Sequence, residues 1–95
     1  MPTGPHIVLF YDYVPDVLER RAPHREAHLA RIAEWVADGR IVMAGALGDP
    51  PTGAAIVFAE MPVAAVEAFA DGDPYVAAGL VTERRVVPWT VVASA

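Results

Sequence analysis

Ile7-Val8-Leu9-Phe10-Tyr11 is a run of five apolar β-formers between His6 and Asp12. It reads as a strand from His6 to Tyr13. Its near-continuity, without polar alternation, places it at the centre of a sheet and covers it on both faces. Three further strands are expected at Ile41–Ala44, Ala54–Ala59 and Thr82–Val92. The last contains Pro88, which has no N–H to give to a ladder and therefore belongs on an edge strand or at a bulge. Between the strands lie two helical patterns. One runs from about Pro23 to Asp38, with His28, Leu29, Ile32, Ala33, Trp35 and Val36 at three- and four-residue spacing and Gly39 as its stop. The other opens at Pro62, continues through Val63, Val66, Phe69 and Ala70, and breaks at Asp71-Gly72. A turn of helix at Asp16–Glu19 and a turn-rich loop from Gly45 to Gly53 complete the connections. The resulting order is β-α-β-β-α-β, the α+β ferredoxin-like arrangement, in which the fourth strand lies at an edge as Pro88 requires.

A chain of 95 residues makes one domain, 1–95. A domain this small buries only about 60–65% of its unfolded surface. With 55% hydrophobic residues, the surplus apolar surface points to a subunit interface and a homodimer. No apolar run approaches the roughly 20 residues of a membrane span, and the N-terminus carries no signal-peptide pattern, so a cytoplasmic protein is expected. The net charge of −5, without a basic stripe, argues against nucleic-acid binding. All seven basic residues are arginine; lysine, cysteine, asparagine and glutamine are absent, and Ser94 is the single serine. A Schiff base, a thiolate nucleophile, a disulfide and an interior serine triad are thereby excluded.

The remaining chemistry must come from histidine, carboxylates, arginine, aromatic residues and the backbone. Asp73-Pro74-Tyr75-Val76 has an acid at a helix N-cap followed by proline at the first helical position, opening a short helix from Pro74 to Ala78. Arg25 and His28, three apart, share one face of the first helix. His28 suits a general base or acid and Arg25 an anchor for an anionic substrate. The same spacing also suits a packing histidine beside a solvated arginine, and Asp73 is equally at home as a cap alone. Trp35, Tyr75 and Trp89 could line a pocket for a planar ligand, although Trp35 reads better as core. His24 and His28 have a chelating spacing, but His-Arg-Glu-Ala-His lacks the glutamate placement of a zinc hydrolase and a third ligand close by. No metal site is expected. Gly45-Ala46-Leu47-Gly48 is too short a glycine pattern to cradle phosphate.

Together these residues resemble the YCII-related (YciI-like) family over nearly the whole chain. The likeness rests on Arg25-x-x-His28-Leu29, Gly39-Arg40 leading into Ala44-Gly45, Asp73-Pro74-Tyr75 with Gly79-Leu80, and Val87-Pro88-Trp89. Met1–Pro5 stands outside the match as an N-terminal extension, and His24 sits where the family often has an aromatic. The resemblance implies a dimeric α+β barrel with two sheets packed face to face. It also implies an active site on a His-Asp pair, matching His28 and Asp73. The family is similar in fold to muconolactone isomerases and cofactor-free monooxygenases, and one relative class eliminates chloride from a chlorinated aromatic. The expectation is a small cofactor-free lyase or isomerase acting on a small cyclic or aromatic acid. His28 and Asp73 would be catalytic, and Arg25 and Tyr75 would bind the substrate. The alternative is a non-catalytic ligand-binding or regulatory dimer that uses the same cleft. On the catalytic reading His28 and Asp73 meet in one cleft, which the β-α-β-β-α-β fold permits because both helices pack on one face of the sheet.

Overall fold

The computed structural model describes residues 2–95. Its elements are β1 (Gly4–Tyr13), α1 (Val17–Arg20), α2 (Ala22–Ala37), β2 (Ile41–Leu47), β3 (Gly53–Ala59), α3 (Val63–Asp71), α4 (Pro74–Ala77) and β4 (Val81–Val91). The sheet is antiparallel, in the order β2-β3-β1-β4. β1 is central and β4 is an edge strand. Pro88, opposite Ile7 on β4, therefore removes one donor from an edge and not from the middle of the sheet.

Alternation along the strands divides the apolar residues between two faces. Ile7, Leu9 and Tyr11 of β1 and Ala54, Ile56 and Phe58 of β3 turn to the helices, where they join Val66, Phe69 and Ala70 of α3 in the buried core. Trp35 meets both Phe58 and Phe69 edge-on, with ring centroids 5.9 and 4.9 Å apart, which is the packing role expected of it. Val8, Phe10, Ala55, Val57, Val87 and Trp89 border an apolar depression on the opposite side of the sheet.

Four expectations are corrected. β1 begins at Gly4, two residues before His6, because Gly4 and Pro5 pair with Val91 and Thr90. β2 continues through Gly45 to Leu47 instead of ending at Ala44: Gly45, Ala46 and Leu47 pair with Ala55, Ala54 and Gly53. The turn begins only at Gly48, whose φ of 85° suits glycine. The apolar stripe of α2 is wider than the surface it buries. Only His28 is fully buried, Ile32 and Trp35 are partly so, and Leu29 and Val36 remain 45% and 46% exposed. A helix lying on a twisted sheet covers it along one i, i+4, i+7 line, and 28, 32 and 35 are that line. Finally, Trp89 lies on the sheet face away from α2 and α4, so it lines no pocket shared with Tyr75.

Helix boundaries follow the local chemistry. Gly39, with φ 82°, ends α2. Asp73 caps α4: its carboxylate accepts the Tyr75 N–H at 3.0 Å, with Pro74 in the first turn. A second cluster of Val17, Tyr75 and Leu80, with Tyr13 against it, locks α1 and α4 to the end of β1. There β4 carries a bulge opposite Asp12 and Tyr13.

Candidate functional site

His28 is the one α2 side chain fully buried against the sheet, and Asp73 stands at the N-cap of α4. The two are 45 positions apart and meet directly: His28 Nδ1 is 2.7 Å from Asp73 Oδ1. His28 is 6% exposed and Asp73 is fully buried. A buried carboxylate needs several donors to be tolerated, and Asp73 has three. Oδ1 receives His28 Nδ1–H and the Tyr75 N–H, while Oδ2 receives the Tyr11 hydroxyl at 2.9 Å. With the Nδ1 proton committed to the carboxylate, neutral imidazole presents a lone pair at Nε2. Among the described residues, no group bonds to that nitrogen.

Tyr75 does more than line a pocket. Its ring stacks on the imidazole, with centroids 3.7 Å apart and planes 4° from parallel. The backbone N–H of this one residue therefore holds the carboxylate while its side chain fixes the plane of His28. Tyr13 meets Tyr75 edge-on at 6.0 Å. Arg31, one turn beyond His28, ties α2 to the end of α3. Its Nε and Nη2 both donate to the Phe69 carbonyl at 3.3 Å, and its guanidinium lies 5.0 Å from the Phe69 ring centroid. A Cβ on Gly72 would run into that guanidinium, so glycine there leaves room for the Arg31 side chain in its present position.

A cleft of about 240 Å³ opens in front of this pair. His28, Tyr75 and Tyr13 form part of its wall, Leu29 and Ala46 contribute apolar surface, and Arg21 and Arg25 supply charge. Arg25, expected as an anchor, is therefore at the cleft with His28 and Tyr75, while Asp73 is fully buried and reaches the cleft only through its contact with His28. His24 does not border it, and no group of three or more potential metal ligands occurs among the described residues. Gly45 and Ala46, set aside as a phosphate loop, line the cleft as part of β2.

Three residues of this neighbourhood escaped the reading of the sequence. Tyr11 follows Ile7 and Leu9 on the buried face of β1; a phenol there needs a polar partner, and that need was the available signal. Tyr13 continues the same alternation. Arg21 precedes Arg25 by four and His28 by seven, the spacing of one helical face.

Burial holds the Tyr11 phenol far above the ordinary tyrosine range, and the Asp73 carboxylate adds to the effect. Burial, then Tyr75 and Asp73, push Tyr13 up to about 12, against an opposing pull from Arg21 and Arg25. Both phenols thus keep their protons more firmly in the fold than in the unfolded chain. The stability this contributes is complete below about pH 10, where unfolded tyrosine begins to ionise. It declines as the pH rises from there through the folded value of Tyr13, about 12. The melting temperature should accordingly fall above about pH 10, and absorbance near 295 nm should report phenolate formation alongside loss of the circular dichroism signal. Ionisation of Tyr11 and Tyr13 near pH 10, with the fold intact, would contradict this.

The YCII-related domain family matches residues 6–90. Protein YciI of Escherichia coli O6:H1 is 35% identical over 94 residues, covering 90% of this chain and 96% of that protein. An uncharacterized protein of Haemophilus influenzae is 32% identical over 96 residues, covering 92% and 98% of the two chains. Among solved structures, 5-chloro-2-hydroxyhydroquinone dehydrochlorinase of Burkholderia phenoliruptrix AC1100, in complex with 2,5-dihydroxybenzoquinone, shares the fold. The TM-score is 0.76 at 24% identity, over 90% of this chain and 93% of that one.

Proposed function

We propose, from the premise that this chain belongs to the YCII-related domain family, that it is a small cofactor-free enzyme of the lyase or isomerase type, working as a homodimer. The observation that carries the reading is the buried contact between His28 and Asp73, 2.7 Å long, with the carboxylate held by two further donors. A histidine oriented by a carboxylate on one nitrogen and open on the other is the arrangement that moves protons. His28 Nε2 takes a proton from an acidic position of the ring substrate, and the electron pair released enters the ring. On a halogenated hydroquinone the halogen-bearing carbon takes up a proton as that pair enters the ring, and loss of a second hydroxyl proton then expels halide and leaves a quinone; on an unsaturated ring the pair shifts a double bond, and the proton is returned elsewhere. Asp73 stabilises the imidazolium in between, Arg25 holds the substrate's negative charge, and Tyr75 keeps the imidazole in plane.

The size of the cleft limits the substrate. A benzene molecule fits an apolar cavity of about 150 Å³, so about 240 Å³ suits one substituted ring and not a dinucleotide. The fold neighbour, a dehydrochlorinase in complex with a dihydroxyquinone, supports the same class of planar, acidic ring.

The reading is tested by incubating the protein with 5-chloro-2-hydroxyhydroquinone and with small unsaturated lactones in deuterated buffer. Chloride release and proton exchange are then followed by ion chromatography and NMR. Wild type should accelerate one of these, and His28→Ala should reduce the rate by about 10²–10⁴-fold. Tight ligand binding without any turnover would leave the non-catalytic binding module as the better account.

A further inference from the structure

The chain has twelve acidic residues against seven arginines, so a free guanidinium is not the expected outcome of folding. Five arginines have partners. Arg20 pairs with Asp16, Arg40 with Asp38, and Arg84 with Glu67 and Asp71. Arg31 donates to the Phe69 carbonyl, and Arg85 lies over the Phe10 ring at 4.9 Å. Arg21 and Arg25 have neither a carboxylate, nor a carbonyl, nor an aromatic face among the described residues, and both border the cleft. Tyr13 borders it as well, and its hydroxyl makes no hydrogen bond among the described residues. Two cations and a donor hydroxyl, all unused by the fold, thus converge on the space in front of His28.

We infer that Arg21, Arg25 and Tyr13 form an anion-holding rim that selects single-ring ligands bearing two negative charges over those bearing one. This rests on the reading above that the cleft takes a small ring acid, and it adds the charge of that acid and two residues that recognise it. The reasons are electrostatic. One anionic group neutralises one guanidinium, and the second guanidinium is then left facing the cleft with no counter-charge. The overall charge of −5 repels anions, so a local pair of arginines is what makes the cleft attractive to them. Tyr13, held neutral at physiological pH, stays a donor and adds no opposing charge.

The test measures equilibrium binding with two probes on one ring. 2,5-Dihydroxybenzoquinone is a dianion at neutral pH, and 2-hydroxy-5-methoxybenzoquinone is a monoanion. Wild type, titrated by calorimetry at low salt, should bind the dianion about tenfold tighter, and added salt should narrow the gap. Arg21→Gln should remove about tenfold from the dianion and less than about threefold from the monoanion. Arg21→Lys should retain part of the preference, because it keeps the charge without the fork. Tyr13→Phe should weaken both probes, leaving the preference between them. Unaltered melting temperatures would separate these effects from folding. The inference is overturned if wild type does not prefer the dianion, or if Arg21→Gln weakens both probes equally or neither. Because the assay reads binding alone, a protein that prefers the dianion but transfers no proton would refute the proposed reaction and leave the rim standing. Proton transfer without that preference would do the reverse.

Discussion

Asp73→Ala should destabilise the protein by about 3–5 kcal/mol and abolish proton transfer, whereas Asp73→Asn should cost the fold less and the chemistry almost as much. The carboxylate is fully buried and is the common acceptor for the Tyr11 hydroxyl, the His28 Nδ1–H and the Tyr75 N–H. Alanine leaves all three donors buried without an acceptor, and each such loss carries a penalty of about 1–3 kcal/mol. The sum is reduced because the burial of the carboxylate itself is relieved. Asparagine still caps α4 through its oxygen. Its amide, however, offers a donor where the dyad needs an acceptor. If the amide faces Nδ1, the imidazole proton moves to Nε2, and the lone pair aimed at the cleft is lost. A rate reduced by about 10²–10⁴-fold, with a melting temperature close to wild type, is the signature expected of Asp73→Asn. Urea denaturation and the deuterium-exchange assay measure the two effects separately. Equal activity of Asp73→Asn and wild type would remove the carboxylate from the mechanism and reduce it to a helix cap.

Trp89→Asp should convert the proposed homodimer into a folded monomer. The helices cover one face of the sheet; the other presents Val8, Phe10, Val57, Val87 and Trp89, with Trp89 46% exposed. A contiguous apolar face of this kind is what a partner subunit covers. In a two-fold dimer the face meets its own copy, so one substitution acts twice. Buried tryptophans at interface centres each contribute about 2–4 kcal/mol, and the dissociation constant should rise by about 10³-fold or more. Because Trp89 is already half-exposed in the single chain, the change leaves the monomer core intact, and circular dichroism should match wild type. The wild-type interface should exceed about 1,000 Å² in total. Sedimentation of wild type as a monomer at micromolar concentration, or of Trp89→Asp as an undiminished dimer, would reject this use of the sheet face.

The local devices of this fold are legible in the chain itself. Five consecutive β-formers mark the central strand, Pro88 marks an edge, Gly39 stops α2, and Asp73-Pro74 starts α4, each through a constraint that acts within a few residues. The partnership of His28 and Asp73 is implied by the family resemblance; the topology permits it, since both helices lie on one face of the sheet. The tertiary structure alone decided what depends on the angle and depth at which those helices sit. It carried β2 through Gly45 to Leu47, because a neighbouring strand's hydrogen bonds outweigh a glycine's freedom to turn. It exposed Leu29 and Val36, because a rigid helix touches a twisted sheet along one line. It brought Tyr11, near the end of β1, to Asp73 and set Arg21 and Arg25 at the same cleft. Sequence spacing orders side chains within an element, while contacts between elements depend on how the elements cross, which no local pattern encodes.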